Sequence, residues 1–145
     1  MSPPNWFYTY ILPLTPAALT IAGWVFLSRR EKIKRISERK SKRIDEAVAL
    51  TREITGKSAA YWLSDSAGSE AAAQEILFDL HRLARLCGKI SPGLNSGLTK
   101  LRTAASGGDF QSAARQASPP NGGSVYAVKK AGADLIILLD DYHDE

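Results

Sequence analysis

The chain has 145 residues, of which 44% are hydrophobic, and a formal net charge of +4 at pH 7. This length allows one ordinary domain together with a short additional segment. The single cysteine, Cys87, excludes an intrachain disulfide and a thiolate metal cluster, and it is typical of a protein kept in a reducing compartment.

The net charge of +4 is the average of two very different regions. Residues 29–43 contain nine basic and two acidic side chains, a net charge of +7, whereas residues 44–145 contain ten basic and thirteen acidic side chains, a net charge of −3. A basic protein can bind nucleic acid. Here, however, the positive charge directly follows an apolar segment. Basic residues in that position are attracted to anionic lipid headgroups by about 1 kcal/mol each, which explains the charge without nucleic acid. The pattern therefore favours lipid over nucleic acid.

The apolar segment, residues 11–27, is uncharged, and so are all the side chains before it. A run of about 17–25 apolar residues can cross a bilayer as a helix, so the sequence predicts a single transmembrane helix. Trp6, Tyr8, Tyr10 and Trp24 lie near its two ends, where aromatic side chains contact the membrane interface. A cleaved signal peptide has basic residues before its apolar run, whereas this chain has them after it, so a signal peptide is excluded. A buried helix of a soluble protein is the alternative.

Two prolines, Pro13 and Pro16, lie in the first third of this segment. Proline is tolerated in the first turn of a helix and kinks a helix interior. Either the helix begins near Thr15 or it kinks at these prolines.

The orientation follows from the basic residues just after the segment, which we expect to contact anionic headgroups: Arg29, Arg30, Lys32, Lys34 and Arg35. Under the positive-inside rule the N-terminus faces the outside or periplasm and the rest of the chain is cytoplasmic. The predicted organisation is an N-terminal and transmembrane segment (1–28), a basic juxtamembrane helix (29–43) and a cytoplasmic helical bundle with an acidic tail (44–145). Within the basic helix, Ile33 and Ile36 are either solvated or part of a coiled-coil seam between two copies.

The remaining chain has the periodicity of an all-α bundle. No proline interrupts residues 29–63, so the transmembrane helix is expected to continue through them. Further helices are predicted at 70–88 with a stop at Gly88, from about 94 to 107, from Asp109 to about 117, and from Ser124 to the acidic tail. Residues 135–139 could also form a strand, but no second strand is available to pair with it, so we predict a helix.

No constellation of catalytic, cofactor-binding or metal-binding residues emerges. Gly56, Lys57 and Ser58 match the end of a P-loop, but position 51 is threonine and no strand precedes it. His81 and His143 lack the Glu-x-x-His spacing of a di-metal bundle. Cys87 lies on an apolar stripe and is predicted to be a small buried side chain. We therefore predict a protein that is not an enzyme and has no cofactor, with no small-molecule substrate evident.

Three functions fit these features. The first is a single-pass inner-membrane interaction or scaffold protein, whose cytoplasmic bundle binds a partner protein or another copy of itself; Tyr61 and Trp62 are either partner-binding residues or core residues. The second is a membrane effector that oligomerises and permeabilises the bilayer, with helix–helix contacts at Ala18 and Ala22, a small-xxx-small pair. The third is an accessory subunit of a larger membrane complex.

Overall fold

A computed structural model describes residues 14–65 and 69–143 of the chain, with side chains from residue 19 onward except that of Ser69. These residues form four α-helices and no strand, which confirms the predicted all-α class for the described part of the chain. The helices are α1 (Leu14–Leu63), α2 (Ser69–Ile90), α3 (Asn95–Ser106) and α4 (Gly123–Asp141), with a 3-10 turn at Pro92–Leu94 before α3.

Helix α1 is continuous over 50 residues, as the absence of proline after Pro16 predicts. Because α1 begins at Leu14, Pro16 lies in its first turn, where the backbone N–H groups have no intrahelical acceptor to lose. The chain divides between Arg39 and Lys40 into two compact units. We refer to them as the N-terminal unit and the helical unit, and describe each separately.

The structure does not support the predicted transmembrane helix. In the described ranges, no helix has an apolar stretch of the length and hydropathy that crossing a membrane requires. From Leu14, where α1 begins, to Ser28, just before the first charged side chain, there are fifteen residues. At a rise of about 1.5 Å per residue they extend for about 22 Å, less than the hydrocarbon thickness of about 30 Å. The first three residues of the predicted span, 11–13, lie outside the described part of the chain.

The core of the helical unit is built from one apolar face of each helix. The α2 stripe predicted from spacings of three and four is buried as expected. Fully or nearly fully buried side chains come from α1 (Ile44, Ala47, Leu50, Ile54), α2 (Ala73, Ile76, Leu80, Leu83, Cys87), α3 (Leu101, Ala105) and α4 (Val125, Val128, Leu135, Leu139). Residues 135–139, whose local sequence also suits a strand, belong to α4, since α4 runs to Asp141.

Two buried glycines allow the helices to approach closely. A Cβ added at Gly97 of α3 would lie 2.9 Å from a methyl carbon of Leu138 on α4. A Cβ at Gly132 of α4 would collide with the hydroxyl of Thr55 on α1. The α3–α4 and α1–α4 contacts therefore require glycine at these two positions. A well-packed interior cannot accept an extra methyl group unless neighbouring atoms shift.

The sequence predictions were wrong in two places within the helical unit. Residues 109–117 form turns and not a helix, because Gln111 has a φ of 65°, outside the right-handed helical region, and Arg115 is bound to the end of α1. Helix α2 also does not stop at Gly88 but continues to Ile90. Gly88 has open space around its Cα, so α2 accepts it at the usual cost of about 1 kcal/mol relative to alanine.

Candidate functional site

The N-terminal unit exposes a segment of large apolar side chains on α1. We call it the apolar segment; its most exposed members, 60–72% accessible, are Leu19, Ile21, Trp24, Phe26 and Leu27. At about 100° per residue, these positions cover all of α1 but a sector of about 140°, and Val25, 41% exposed, lies in that sector, so exposed apolar side chains occur on all sides of the helix. A helix that is apolar all round is characteristic of a buried or lipid-embedded environment, whereas a helix that docks on one partner is apolar along one stripe.

A basic collar follows directly, formed by five exposed side chains: Arg29, Arg30, Lys32, Lys34 and Arg35. The guanidinium of Arg30 lies 5.7 Å from the ring centroid of Phe26. Arg35 is 3.7 Å from the carboxylate of Glu31, but both side chains are about 70% exposed, so this pair contributes little to stability. The cationic groups of the collar are accordingly open to solvent. Ile33 is exposed as well, and nothing in the described structure tests the alternative of a coiled-coil seam.

The other residues predicted to contact lipid or a second helix are only partly described. Trp6, Tyr8 and Tyr10 lie outside the described residues, and so does the side chain of Ala18. Ala22 is exposed on α1. Helix–helix contact through Ala18 and Ala22 stays a prediction.

In the helical unit, the C-terminal end of α1 is closed by Arg115, which is only 4% exposed. Its guanidinium donates hydrogen bonds to the backbone carbonyls of Tyr61 (2.7 Å), Ser64 (2.7 Å) and Asp65 (3.0 Å). The last carbonyls of a helix have no intrahelical donors and carry partial negative charge. Arg115 therefore adds hydrogen bonds and a positive charge at the C-terminal end of α1, where the Tyr61 carbonyl also accepts from Ser64. The backbone N–H of Ser118 completes the cap by donating to the Trp62 carbonyl at 2.7 Å.

An aromatic cluster holds Arg115 in place. The guanidinium carbon lies 4.1 Å from the ring centroid of Tyr61 and 5.8 Å from that of Trp62. Phe110 packs against Tyr61 with ring centroids 4.9 Å apart, and the Gln111 backbone N–H donates to the Tyr61 hydroxyl at 3.0 Å. Tyr61 and Trp62 are only 3% and 5% exposed, so their environment is that of core residues. Their contact with a partner stays a prediction.

Lys57 is the centre of a partly buried ion cluster that joins α1 to α2. Its ammonium is 2.7 Å from Glu53, 2.6 Å from Glu75 and 2.8 Å from Asp79. The hydrogen bonds that the ammonium donates to Asp79 above all, and then to Glu53 and Glu75, raise the pKa of Lys57 well above its ordinary value. The three carboxylates have ligand atoms within 4.8 Å of one another, a spacing that could suit a metal ion. The ammonium of Lys57 already neutralises part of their charge, so the cluster is explained as a structural ion network.

The sequence contains a spacing signal for this cluster, although the cluster was not predicted. Glu53 and Lys57 are spaced i, i+4 on α1, and Glu75 and Asp79 are spaced i, i+4 on α2. Such spacing places two side chains on one helix face. Only the packing of α1 on α2, however, brings the two pairs together.

A cleft of about 880 Å³ opens between α3 and α4. Small side chains form much of its wall, and the glycines of the loop after α3 and of the start of α4 contribute to it. The lining residues are Trp62, Thr99, Lys100, Thr103, Ala104, Gly107, Gly108, Asp109, Gly123, Ser124, Ala127, Lys130, Ala131 and Asp134. This volume lies within the range of about 300–1,000 Å³ that is usual for ligand sites.

Cys87 and the histidines do not form a catalytic arrangement in the described structure. Cys87 is fully buried, as predicted, and burial raises the pKa of its thiol to about 11. The imidazole Nε2 of His143 lies 3.0 Å from the hydroxyl of Ser41, at an exposed position.

No family model, curated protein or solved structure matches this chain.

Proposed function

We propose that the protein is a membrane-anchored, non-enzymatic interaction protein, in which the N-terminal unit binds the bilayer and the helical unit binds a partner protein or a second copy. The observation that carries this proposal is the exposure, on all sides of α1, of the apolar segment immediately before an exposed basic collar. Contiguous exposed apolar surface of this kind marks an interaction site.

Lipid accounts for both parts of this surface better than a protein groove does. A groove covers one face of a helix, whereas acyl chains cover all of them. Full burial contributes about 1.5–3 kcal/mol for each large apolar side chain, so the five most exposed residues together supply on the order of 10 kcal/mol. The five collar residues add about 1 kcal/mol each on an anionic surface. These two contributions are large enough to hold the chain at a membrane.

In this proposal residues 11–27 span the bilayer, with the N-terminus outside or in the periplasm and the helical unit in the cytoplasm. With residues 11–13 the uncharged apolar segment has 17 residues, the short end of the range of about 17–25 that can cross a bilayer. The support for the orientation is the asymmetry of charge, because all the basic residues near the segment lie on its C-terminal side.

The partner-binding role of the helical unit is supported by exposed large apolar side chains on its helices. Phe78 on α2, and Tyr126 and Ile137 on α4, are 59–69% exposed. Tyr126 and Ile137 are eleven residues apart, which is about three helical turns, so they lie on the same side of α4. Aromatic residues exposed on a rigid helix are typical anchors of protein interfaces.

Vesicle flotation tests membrane binding. We expect the full-length chain to float with vesicles containing about one third anionic lipid and to resist carbonate extraction. A variant with serine at Leu19, Ile21, Trp24, Phe26 and Leu27 should stay at the bottom of the gradient. The matched control places serine at three other exposed apolar positions, Phe78, Tyr126 and Ile137, and should still float.

The collar is tested separately by glutamine at its five basic positions. This variant should lose the preference for anionic over zwitterionic vesicles, since the remaining attraction is hydrophobic. If the wild-type chain stays in the aqueous fraction with every vesicle composition, the membrane role is wrong.

Orientation is tested with S2C and S96C variants and a membrane-impermeant maleimide. Cys87 is buried, so the added cysteine is the reactive one in the folded chain. We expect S2C to be labelled in intact cells and S96C only after lysis. The reverse result would contradict the proposed topology.

Partner binding is tested by crosslinking in mild detergent, where the variant with serine at Phe78, Tyr126 and Ile137 should lose the crosslinked species.

A further inference from the structure

The cleft between α3 and α4 has the features of a binding site, and the membrane and partner-binding roles do not use it. Much of its wall is built from small side chains, which allow another molecule to come close to the backbone. Gly108 and Gly123 both have open space where a Cβ would be. Gly108 also has a φ of 62°, a conformation that favours glycine, so the loop that forms one end of the cleft is suited to this residue.

One residue of the cleft lining, Trp62, carries a buried polar group without a partner. The indole N–H of Trp62 has no hydrogen-bond acceptor, although the side chain is 95% buried. An unpaired buried donor costs about 1–3 kcal/mol. The hydroxyl of Ser58, one turn earlier on α1, and the Nε of Arg115 are likewise buried and unpaired. Among the described residues, these unpaired groups all belong to the C-terminal end of α1 and the residue that caps it.

The charged groups of the cleft are also unpaired, and their signs balance. Lys100 and Lys130 contribute two ammonium groups, and Asp109 and Asp134 contribute two carboxylates. None of the four belongs to an ion pair within residues 19–65 and 70–143. A simple anion would satisfy the lysines and be repelled by the aspartates, and a simple cation would do the reverse. A ligand that carries one charge of each sign is complementary to both pairs.

The start of α4 adds a further site for the negative end of such a ligand. Its N-cap is Gly122, which makes no side-chain capping bond, and the first turn contains no acidic residue. The first backbone N–H groups of a helix attract a carboxylate. Ser124, in that turn, lines the cleft and adds a hydroxyl.

We propose that this cleft binds a small zwitterionic ligand of the class of amino acids and short peptides with free termini. The carboxylate interacts with the lysines and the start of α4, and the ammonium with the aspartates. The small residues of the wall admit the ligand backbone.

The test uses ¹⁵N-labelled full-length protein in a mild non-ionic detergent and follows the tryptophan indole cross-peaks by NMR. The Trp62 peak is identified by its loss in Trp62→Phe. Trialanine is the probe, and N-acetyl-trialanine and trialanine amide, each lacking one charge, are the matched controls. We expect a saturable shift of the Trp62 peak by trialanine with a Kd on the order of 1 mM, which corresponds to about 4 kcal/mol, and at least tenfold weaker binding of each control.

Site variants locate the binding. Lys130→Gln and Asp134→Asn should each weaken trialanine binding at least threefold, whereas Lys129→Gln, which lies beside Lys130 but outside the cleft lining, should not change it. The backbone peaks of Gly107, Gly108 and Gly123, which line the cleft, report binding independently of the Trp62 peak. The proposal is overturned if trialanine causes no saturable shift, if a capped peptide binds equally well, or if Lys129→Gln has the same effect as Lys130→Gln. None of these outcomes depends on membrane binding.

Discussion

The buried cap formed by Arg115 gives the sharpest test of how the helical unit is held together. Replacing Arg115 by alanine removes three hydrogen bonds to the end of α1 and a cation–π contact with Tyr61. It also removes the positive charge from the negative end of the helix dipole. Each of these losses acts on the same turn of α1.

The expected loss of unfolding free energy in Arg115→Ala depends on the number of hydrogen bonds removed and on the exposure of the groups involved. Hydrogen bonds from a charged donor contribute about 1.5–3 kcal/mol each, so three of them set an upper bound of about 9 kcal/mol. Two effects reduce it. Burying the guanidinium costs several kcal/mol, and Ser64 and Asp65 are exposed, so water can bind their carbonyls in the variant. We therefore expect a loss of about 3 kcal/mol, or roughly 10–20 °C in Tm for a unit of this size.

The assay is thermal unfolding in a mild non-ionic detergent, followed by circular dichroism at 222 nm. Arg115→Lys keeps the charge but not the planar fork of donors, so it should lose about half as much stability as Arg115→Ala. Arg52→Ala is the control, because Arg52 is exposed on α1 and forms no ion pair within the described residues. If Arg115→Ala lowers Tm no more than Arg52→Ala does, the capping role assigned to Arg115 is wrong.

Three further predictions concern the packing of the helical unit. Lys57→Met leaves three carboxylates together and should cost about 1–3 kcal/mol in urea unfolding, with a smaller cost in 1 M salt because salt screens their repulsion; an equal cost in both would contradict the ion network. Burial raises the pKa of the Cys87 thiol to about 11, so the unfolded thiol ionises first as pH rises above 9. Stability should therefore fall more steeply between pH 9 and 11 in the wild type than in the Cys87→Ala variant, which keeps the contribution of Lys57 with its raised pKa, and DTNB should react at pH 8 only after unfolding. Gly132→Ala forces a methyl group against Thr55 and should cost about 1–3 kcal/mol of unfolding free energy. The control, Gly56→Ala, lies at an exposed position with open space and should add about 0.5–1 kcal/mol of stability. Equal effects of the two substitutions would show that the Thr55 contact is not tight.

Local sequence was sufficient to predict most of the helices. Spacing of apolar residues predicted α2 and its buried face, and the absence of proline predicted the continuity of α1. These features depend on interactions between residues three or four positions apart, and that spacing can be read from the sequence. The prediction of a helix over residues 109–117 was wrong for the opposite reason. Alanines at helical spacing favoured a helix, but the bonds from Arg115 to the end of α1 join residues about fifty positions apart and hold this segment as a loop.

Sequence by itself determined the apolar segment, the basic collar after it and the helical class of the chain, because each is a matter of composition and short-range periodicity. Only the tertiary structure decided that Tyr61 and Trp62 are core residues, that Lys57 lies among three carboxylates, and that a cleft with balanced charges opens between α3 and α4. These features form where separate helices meet. Their energies come from contacts between residues far apart in the chain, and no local pattern records which residues will touch.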